Sequence, residues 1–348
     1  MRRAGYFFIK CWISAGLFCY YKKIQIVGAE GIPLNKPVLF LSNHQNALLD
    51  VLLLATRCHR KPWFLTRSDV FRNGFLQYFF GFLQMLPIYR IRDGKANLSK
   101  NKAIFERCGQ LLGANEAILV FPEANHSLKR RIRPLSKGFT RIIEAALEQH
   151  PDLDLQLVPV GQNYAHPRQV GDSSAIHFGE PIAIQQYLNS TDFKAQIKGV
   201  VRKSLEGLTT HIPEDEYGSL TERIGEEGEI YLDPQYVNSM IAKGNLSNLR
   251  SPKTNPSHSI PRVFFMLWNL PLVLLWRSLL GPKVPEPEFE ATFRFGFVLL
   301  VYPFFYGLTF LTLWNLYSIK MACLFVVGHA LINIFLVKMG ITSSVRRK

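Results

Sequence analysis

Paired cysteines are missing from this sequence. It has five cysteines, an odd number, and no two of them are spaced as in a CxxC motif. This pattern argues against a disulfide framework and a cysteine-based zinc site, and it favours a reducing compartment facing the cytosol. Internal repeats and low-complexity tracts are absent too. The five cysteines are Cys11, Cys19, Cys58, Cys108 and Cys323.

Negative charge is scarce as well. The 348 residues include 26 Asp and Glu against 41 Lys and Arg, which leaves a formal net charge of +15. A chain this basic is expected to bind polyanions, namely nucleic acid, anionic lipid head groups or phosphorylated substrates. Apolar residues make up 48% and charged residues 19%, which excludes a disordered chain, and the length allows two or so folded units.

Two long runs near the C-terminus contain no charged residue. The first covers Phe295–Tyr317, which is long enough to span a bilayer, and the second covers Met321–Val337 after the interruption at Lys320. Together they predict a transmembrane helical hairpin over residues 294–338. Within residues 262–281, the apolar stretch Phe264–Leu280 contains Pro271 and Arg277, so the segment is predicted to be an interfacial or re-entrant helix instead of a full span.

The N-terminal segment is also apolar and aromatic. Within residues 1–23 the run Tyr6–Tyr21 is interrupted only by Lys10, and no convincing signal-peptide cleavage site is present. We expect a membrane-associated helix that lies in the interface. The basic C-terminal tail places both ends of the hairpin on the cytoplasmic side. The sequence thus predicts a protein of the cytoplasmic or inner membrane whose soluble part faces the cytoplasm. Its predicted partners are membrane lipids and not nucleic acid.

Residues 24–205 are predicted to form an α/β domain, because short apolar runs alternate with helical stretches. Such alternation predicts a mostly parallel sheet with flanking helices. Residues 206–261 are polar and irregular in pattern and are predicted to be an extension and linker. One amphipathic helix is marked by apolar residues at helical spacing: Phe139, Ile142, Ile143, Ala146 and Leu147. The predicted strands are Val38–Leu41, Trp63–Thr66, Pro87–Tyr89, Ala117–Phe121, Leu155–Val160 and Ala175–Phe178.

Four blocks of residues carry candidate chemistry at or near the predicted strands. Each block alone could be ordinary sheet and loop, but all four in this order are hard to explain by chance. The blocks are Ser42–Asp50, Leu86–Arg92, Leu119–Ser127 with the basic residues of 129–133 behind it, and Leu157–Gly161.

These blocks resemble the glycerolipid acyltransferase family, which contains the 1-acylglycerol-3-phosphate and glycerol-3-phosphate acyltransferases. The resemblance covers roughly residues 24–185. The family's first block is Asn-His and then Asp with four residues between. Here five residues separate His44 from Asp50, a spacing that looks similar to that of fungal-type glycerol-3-phosphate acyltransferases. Arg90 matches the basic residue that ends the family's second block.

The third and fourth blocks match in part. The family's third block reads Phe-Pro-Glu-Gly-Thr-Arg-Ser, and residues 121–123 and Ser127 agree with it, whereas residues 124–126 read Ala-Asn-His. The usual phosphate-binding arginine is therefore missing, and the basic cluster over 129–133 is expected to replace it. Residues 158–160, Val-Pro-Val, match the apolar fourth block. The resemblance implies the glycerolipid acyltransferase fold and an acyltransferase activity.

The first block predicts a general base. An acceptor hydroxyl attacks a thioester carbonyl well only when a base takes its proton, and His44 suits that role, with Asp50 holding the other ring nitrogen. Six positions on an ideal helix leave two side chains ~120° apart. We therefore expect His44 in the loop before a helix and Asp50 inside that helix. No metal and no cofactor is required, because acyl-CoA or acyl carrier protein brings the acyl group as a co-substrate.

Arginines are expected to bind the acceptor phosphate, since a guanidinium matches phosphate oxygens bidentately. Arg90 and Arg131 are the first candidates and Arg92 and Arg133 the reserves. Glu123 is expected either to contact acceptor hydroxyls or to hold an arginine. The predicted substrate-binding residues are Arg90, Arg92, Glu123, Ser127, Arg130, Arg131 and Arg133.

Several functions stay open at this point. Within the enzyme class, the acceptor is 1-acyl-sn-glycerol-3-phosphate, with glycerol-3-phosphate or a lyso-aminolipid as alternatives. A second class is a catalytically silent protein on the same scaffold that binds lipid or remodels membranes. The intact pair of His44 and Asp50 argues against this class. A membrane-tethered nucleic-acid binder would use the positive charge but has no recognisable binding motif.

Overall fold

The computed structural model describes residues 2–68, 81–89, 99–225, 227–246, 249 and 259–342. The described helices are α1 (Arg2–Tyr20), α2 (Ala47–Arg57), α3 (Asn101–Gly113), α4 (Gly138–Gln149), α5 (Phe193–Leu208), α6 (Tyr217–Ile224), α7 (Pro234–Ala242), α8 (Ser259–Trp268), α9 (Leu270–Leu275), α10 (Glu290–Leu316) and α11 (Ile319–Lys338). The strands are β1 (Lys23–Val27), β2 (Val38–Ser42), β3 (Trp63–Arg67), β4 (Met85–Ile88), β5 (Ala117–Val120), β6 (Gln156–Tyr164), β7 (Ser173–Phe178) and β8 (Ile182–Ala183).

The strands form one mostly parallel sheet in the order β1-β7-β6-β2-β5-β3-β4, with β8 paired to β6. Among the described strands, only the pairings of β6 with β7 and with β8 are antiparallel. This confirms the predicted fold class. All six predicted strands are found, while β1 and β8 were not predicted. The central strands β2, β5 and β6 are buried along their whole length, as expected for parallel strands covered on both faces.

Alternate residues of β2 point into two different cores. Val38 and Phe40 belong to a cluster with side chains of α1, α2 and the first turns of α10. Leu39 and Leu41 belong to a second cluster, which α3, α4 and α5 cover. The predicted amphipathic helix is α4, and its apolar stripe is buried in this second cluster. The sheet therefore lies between two helical layers, and α1 and the first turns of α10 belong to the same layer.

A proline lies inside the central strand β6, where a ladder hydrogen bond would normally exclude it. Along β6, pairing to β8 ends at Leu157, and pairing to β7 begins at Val160. Pro159 falls in the gap between these partners, so its missing N–H leaves no antiparallel ladder bond unmade. This change of partner explains the proline of the fourth sequence block.

The segment after α5 is more ordered than its pattern indicated. Over 206–261 we expected polar, irregular chain, but α6 and α7 pack around a small apolar cluster that includes Ile212, Leu220 and Tyr231. The extension is joined to the α/β domain because the amide of Ile212 donates to the carbonyl of Arg130 (2.8 Å). The apolar residues are too widely spaced along the chain to stand out as a helical stripe, and they meet only on folding.

The C-terminal helices have the size and composition expected of membrane spans. Pro287–Leu316 and Ile319–Lys338 are each long and apolar enough to cross a bilayer, and most of their surface is not covered by the rest of the chain. Before them, α8 and the helical segment that starts with α9 meet at an angle of 87° at Asn269, as in a broken span or a re-entrant loop. The helix α1 is apolar but shorter than a span.

The close approach of Gly161 in β6 to the end of α5 can be tested by substitution. A Cβ at this position of β6 would overlap the backbone carbonyl of Leu208 at the end of α5. We expect Gly161→Ala to lower the free energy of unfolding by about 1–3 kcal/mol, because backbone must move to admit the methyl group. The measurement is thermal unfolding of the purified protein in detergent.

Gly199 is the matched control for this substitution. It lies on the exposed face of α5, and a Cβ there meets no atom within 4 Å. Gly199→Ala should stabilise the protein by up to about 1 kcal/mol through helix propensity. An unchanged melting temperature in Gly161→Ala would contradict the close approach of β6 and α5.

Candidate active site

The proposed base lies in the loop between β2 and α2. The strand ends at Ser42 and the helix begins at Ala47, so His44 precedes the helix and Asp50 lies in its first turn. The His44 Nδ1 and Asp50 Oδ2 atoms are 2.7 Å apart. The loop-and-helix placement expected from the five-residue spacing is therefore found.

Asp50 is completely buried and accepts hydrogen bonds at both oxygens. Oδ2 also accepts from the amides of Gln45 (2.9 Å) and Asn46 (2.8 Å), and Oδ1 accepts from the hydroxyl of Tyr164 (2.5 Å). Burial, together with the charge of Asp50, raises the pKa of Tyr164 well above its usual value, so this hydroxyl stays protonated and donates. These donors satisfy a carboxylate that would otherwise be costly to bury.

The His44 ring is also held in orientation by an aromatic contact. It stacks on Phe121 with ring centroids 3.9 Å apart and an interplanar angle of 15°. Because the Asp50 carboxylate can only accept, Nδ1 carries the hydrogen, and Nε2 is left to accept a proton. The side chain of His44 is 17% exposed, which fits a group that must meet a substrate.

Glu123 joins the loop after β5 to the loop that carries His44. Its Oε2 accepts from the His44 amide (3.3 Å) and from Arg133 Nη2 (2.9 Å), and its Oε1 accepts from the Arg133 amide (2.8 Å). Of the two roles expected for Glu123, the structure shows that it holds an arginine. The Ser127 amide donates to the His44 carbonyl (3.0 Å), so Ser127 contacts the site through its backbone.

Arg130 does not have the role that the sequence predicted. Only 6% of it is exposed. It donates to the carbonyls of Tyr164 (2.6 Å) and Ala165 (3.1 Å), and its guanidinium lies 3.8 Å from the ring centroid of Tyr231. Arg130 is thus a structural residue that joins β6 to the extension, and its expected substrate contact was wrong. In the sequence it is indistinguishable from its basic neighbours.

The other candidate arginines are partly accessible or lie outside the described residues. Arg131 pairs with Glu214 (2.7 Å) and its side chain is 11% exposed, whereas the side chain of Arg133 is 22% exposed. Arg90 and Arg92 lie outside the described residues. Within the described ranges, no three His, Cys, Asp or Glu side chains meet in a metal-binding group.

A polar network under the loop was missed by sequence reasoning. Asn43 donates to the Gln162 carbonyl (2.9 Å) and accepts from its amide (2.7 Å), and the Gln162 side chain donates to Ser42 (3.1 Å). These bonds fasten the His44 loop to β6. Asn43 belongs to the first sequence block, as the residue before His44. Gln162 and Tyr164 could not be predicted as site residues, because they lie more than a hundred residues away along the chain.

The segment before α10 reaches the same site. His126 Nε2 is 3.1 Å from Glu286 Oε2, and the Phe289 ring lies edge-on to His126 at 4.8 Å between centroids. His126 in turn is 5.7 Å from His44, ring to ring. The start of the first long apolar helix therefore borders the pair of His44 and Asp50.

Comparison with known proteins shows which family this sequence resembles. Residues 23–162 match the family model described as acyltransferase. Glycerol-3-phosphate O-acyltransferase 1 of Saccharomyces cerevisiae is 26% identical over 30% of this chain and 15% of its own length. The 1-acyl-sn-glycerol-3-phosphate acyltransferase BAT2 of Brassica napus is 26% identical over 46% of this chain and 44% of its own. Over residues 23–162 the chain is therefore similar to the acyltransferase family. The chain spans less than half the length of both relatives.

A solved structure also aligns with part of this chain. The 1-acyl-sn-glycerophosphate acyltransferase PlsC of Thermotoga maritima aligns with a TM-score of 0.44 and 14% identity, over 61% of this chain and 83% of that one.

One departure from the acyltransferase motif has a visible backbone consequence. Ala124 stands where the family has glycine, and its φ is +62°, in the left-handed region that favours glycine. The turn after Glu123 therefore holds an alanine in the left-handed region, at a cost in backbone strain. His126, where the family has arginine, pairs with Glu286 instead.

Asp172 directly precedes β7. It is buried, and its Oδ1 accepts from the amides of His166 (2.6 Å) and Ser173 (2.7 Å). Burial raises the pKa of Asp172 to about 7 from its ordinary value of 3.8, against the opposing effects of His166 and the two amide bonds. The folded protein therefore binds this proton more tightly than the unfolded chain does.

This shift predicts how stability depends on pH. Between about pH 4 and pH 7 only the folded state keeps Asp172 protonated, so the free energy of unfolding falls as pH rises, by ~4 kcal/mol in total. Asp172→Asn should remove this contribution. Melting temperatures of both proteins from pH 5 to pH 8 test it, with the exposed Asp152→Asn as control. Parallel curves for wild type and Asp172→Asn would show that Asp172 does not titrate in this way.

Proposed function

We propose that the chain transfers a fatty acyl group from an acyl thioester to the hydroxyl of a glycerol-phosphate lipid. The proposed acceptor is 1-acyl-sn-glycerol-3-phosphate, and the product is phosphatidate. The observation that carries the proposal is the 2.7 Å contact between His44 and the buried Asp50, placed at the end of β2 in a domain similar to the acyltransferase family.

In the proposed reaction His44 Nε2 takes the proton of the acceptor hydroxyl as its oxygen attacks the thioester carbonyl. The new C–O bond forms, the C–S bond breaks, and the departing thiolate receives the proton from the imidazolium. Asp50 stabilises the imidazolium during this step and keeps the ring in the correct tautomer. The thioester is carried by CoA or acyl carrier protein.

Arg133 is the described arginine best placed for the acceptor phosphate. Glu123 accepts hydrogen bonds from Arg133 Nη2 and from the amide of His44. The same carboxylate therefore holds both the guanidinium and the loop that carries the proposed base. Arg131 is tied to Glu214 on the extension, and Arg130 is buried. An arginine here would seat the phosphate so that the hydroxyl reaches His44.

Glycerol-3-phosphate is a second candidate acceptor. The five-residue spacing between His44 and Asp50 resembles that of fungal-type glycerol-3-phosphate acyltransferases, and one relative carries that name. The two long apolar helices beside the site favour an acceptor that is itself a membrane lipid. We propose that these helices span the membrane, with the acyltransferase domain on the cytoplasmic face.

The central test is acyl transfer by variants of the proposed base. With a labelled acyl thioester and 1-acyl-sn-glycerol-3-phosphate, His44→Ala should reduce kcat by about 10²–10⁴-fold, because no other group would take the proton. Asp50→Asn should lose most of the activity as well, since an amide no longer stabilises the imidazolium. His59→Ala, at an exposed histidine beyond α2, should behave as wild type.

Three acceptors tested in parallel decide the substrate: 1-acyl-sn-glycerol-3-phosphate, glycerol-3-phosphate and a lyso-aminolipid. Near-normal turnover in His44→Ala would overturn the assignment of the base. A folded wild-type protein that transfers to none of the three, yet binds lipid vesicles, would instead indicate the silent lipid-binding class.

Arg133→Lys tests phosphate recognition with little disturbance to Glu123. The ammonium group keeps the positive charge beside the carboxylate but loses the planar fork that matches phosphate. We expect the acceptor KM to rise about tenfold, or ~1.4 kcal/mol, with a smaller fall in kcat and an unchanged donor KM. A rise in donor KM alone would assign Arg133 to the phosphates of the acyl carrier.

A further inference from the structure

An apolar cavity of about 240 Å³ lies between the helices at the two ends of the chain. Its walls come from Trp12 and Gly16 of α1, Leu299 of α10 and Ala330 of α11, with Phe265 of α8 at one side. It is larger than an engineered cavity of ~150 Å³ that binds benzene. All four of these helices lie outside residues 23–162, the acyltransferase match.

The polar side chains at the cavity wall are already bonded to one another. The hydroxyl of Tyr302 donates to Asn269 Oδ1 (3.1 Å), and Asn269 and Asn333 exchange amide hydrogen bonds of 2.7 and 3.0 Å. These groups have no need of a polar ligand. The chemistry of the cavity therefore matches a hydrocarbon chain and not a head group.

Two chain segments that line the cavity also reach the candidate active site. Phe289, just before α10, contacts His126, while Val298 and Tyr302 line the cavity ~14 and ~20 Å further along the helix. Half of a bilayer's hydrocarbon core is ~15 Å thick, so this separation matches the reach of a lipid chain. Val170 also lines the cavity, three residues after Pro167, whose carbonyl accepts from Asn46 beside the base.

We propose that this cavity holds the acyl chain of the acceptor lipid while its hydroxyl lies at His44. The inference rests on the proposed function, and it adds a binding site in the membrane helices. The acceptor is itself a membrane lipid, so its chain is already at the depth of the cavity. The donor arrives on a soluble carrier, which has no such reason to enter between α1, α10 and α11.

Filling the cavity provides the first test. Ala330→Phe places a ring in the cavity, whereas Leu331→Phe, at the next residue of α11, enlarges a side chain that is 61% exposed on the outer face. With an eighteen-carbon lysophosphatidate, Ala330→Phe should raise the acceptor KM about tenfold. The KM values for an eight-carbon acceptor and for the donor should be unchanged, and Leu331→Phe should match wild type throughout.

Photocrosslinking provides a second test that needs no turnover. Lysophosphatidate carrying a diazirine at the chain end, bound to His44→Ala in phosphatidylcholine vesicles, should label the α1 peptide that contains Trp12 and Cys19. Unlabelled lysophosphatidate should compete, and Ala330→Phe should lose the label. Because His44→Ala is used, the result is independent of whether acyl transfer is observed.

The outcomes separate this inference from the proposed function. Labelling of α1 by an acyl-CoA carrying the same diazirine, and not by the lysolipid, would overturn the assignment to the acceptor. Equal labelling by a diazirine phosphatidylcholine would show a bulk-lipid contact and would also overturn it. Normal acyl transfer with no chain-length effect in Ala330→Phe would leave the proposed function standing and refute the cavity assignment.

Discussion

The organisation of the site depends on one buried carboxylate. Asp50 has no solvent exposure, and its two oxygens accept from two loop amides, the Tyr164 hydroxyl and the His44 ring. An unpaired buried carboxylate would be costly, so the loop before α2 must fold to present those amides. That loop conformation is what brings His44 over Phe121. The position of the proposed base is therefore a consequence of satisfying Asp50.

The same region connects the α/β domain to the apolar helices. Leu17 and Tyr20 of α1 and Phe295 of α10 belong to one core cluster with residues of β2 and α2. The Tyr20 hydroxyl donates to the carbonyl of Ala291 at the start of α10 (3.3 Å). The helix α1 and the first turns of α10 thus cover one face of the sheet. If the long apolar helices span a bilayer, the candidate site is held at the membrane surface.

Local patterns predicted much of this arrangement because they depend on local chemistry. The stripe of α4 and the six buried runs follow from periodicity, and the loop position of His44 follows from its spacing to Asp50. The strand β1 was missed because it follows α1 directly at the edge of the sheet, and β8 has only two residues. The extension after α5 was misread because its apolar residues come from separate short elements.

The basic run after β5 shows the limit of the sequence most clearly. Arg130, Arg131 and Arg133 are chemically alike, yet one is buried under Tyr231, one pairs with the extension and one pairs with Glu123. The sequence by itself determined six of the eight strands, the amphipathic helix α4, the apolar helices and the residue pair that suits a base, since these follow from composition and spacing. Only the tertiary structure decided which side chains meet. Contacts such as that of Asp50 with Tyr164 join residues 114 positions apart, and no local pattern encodes them.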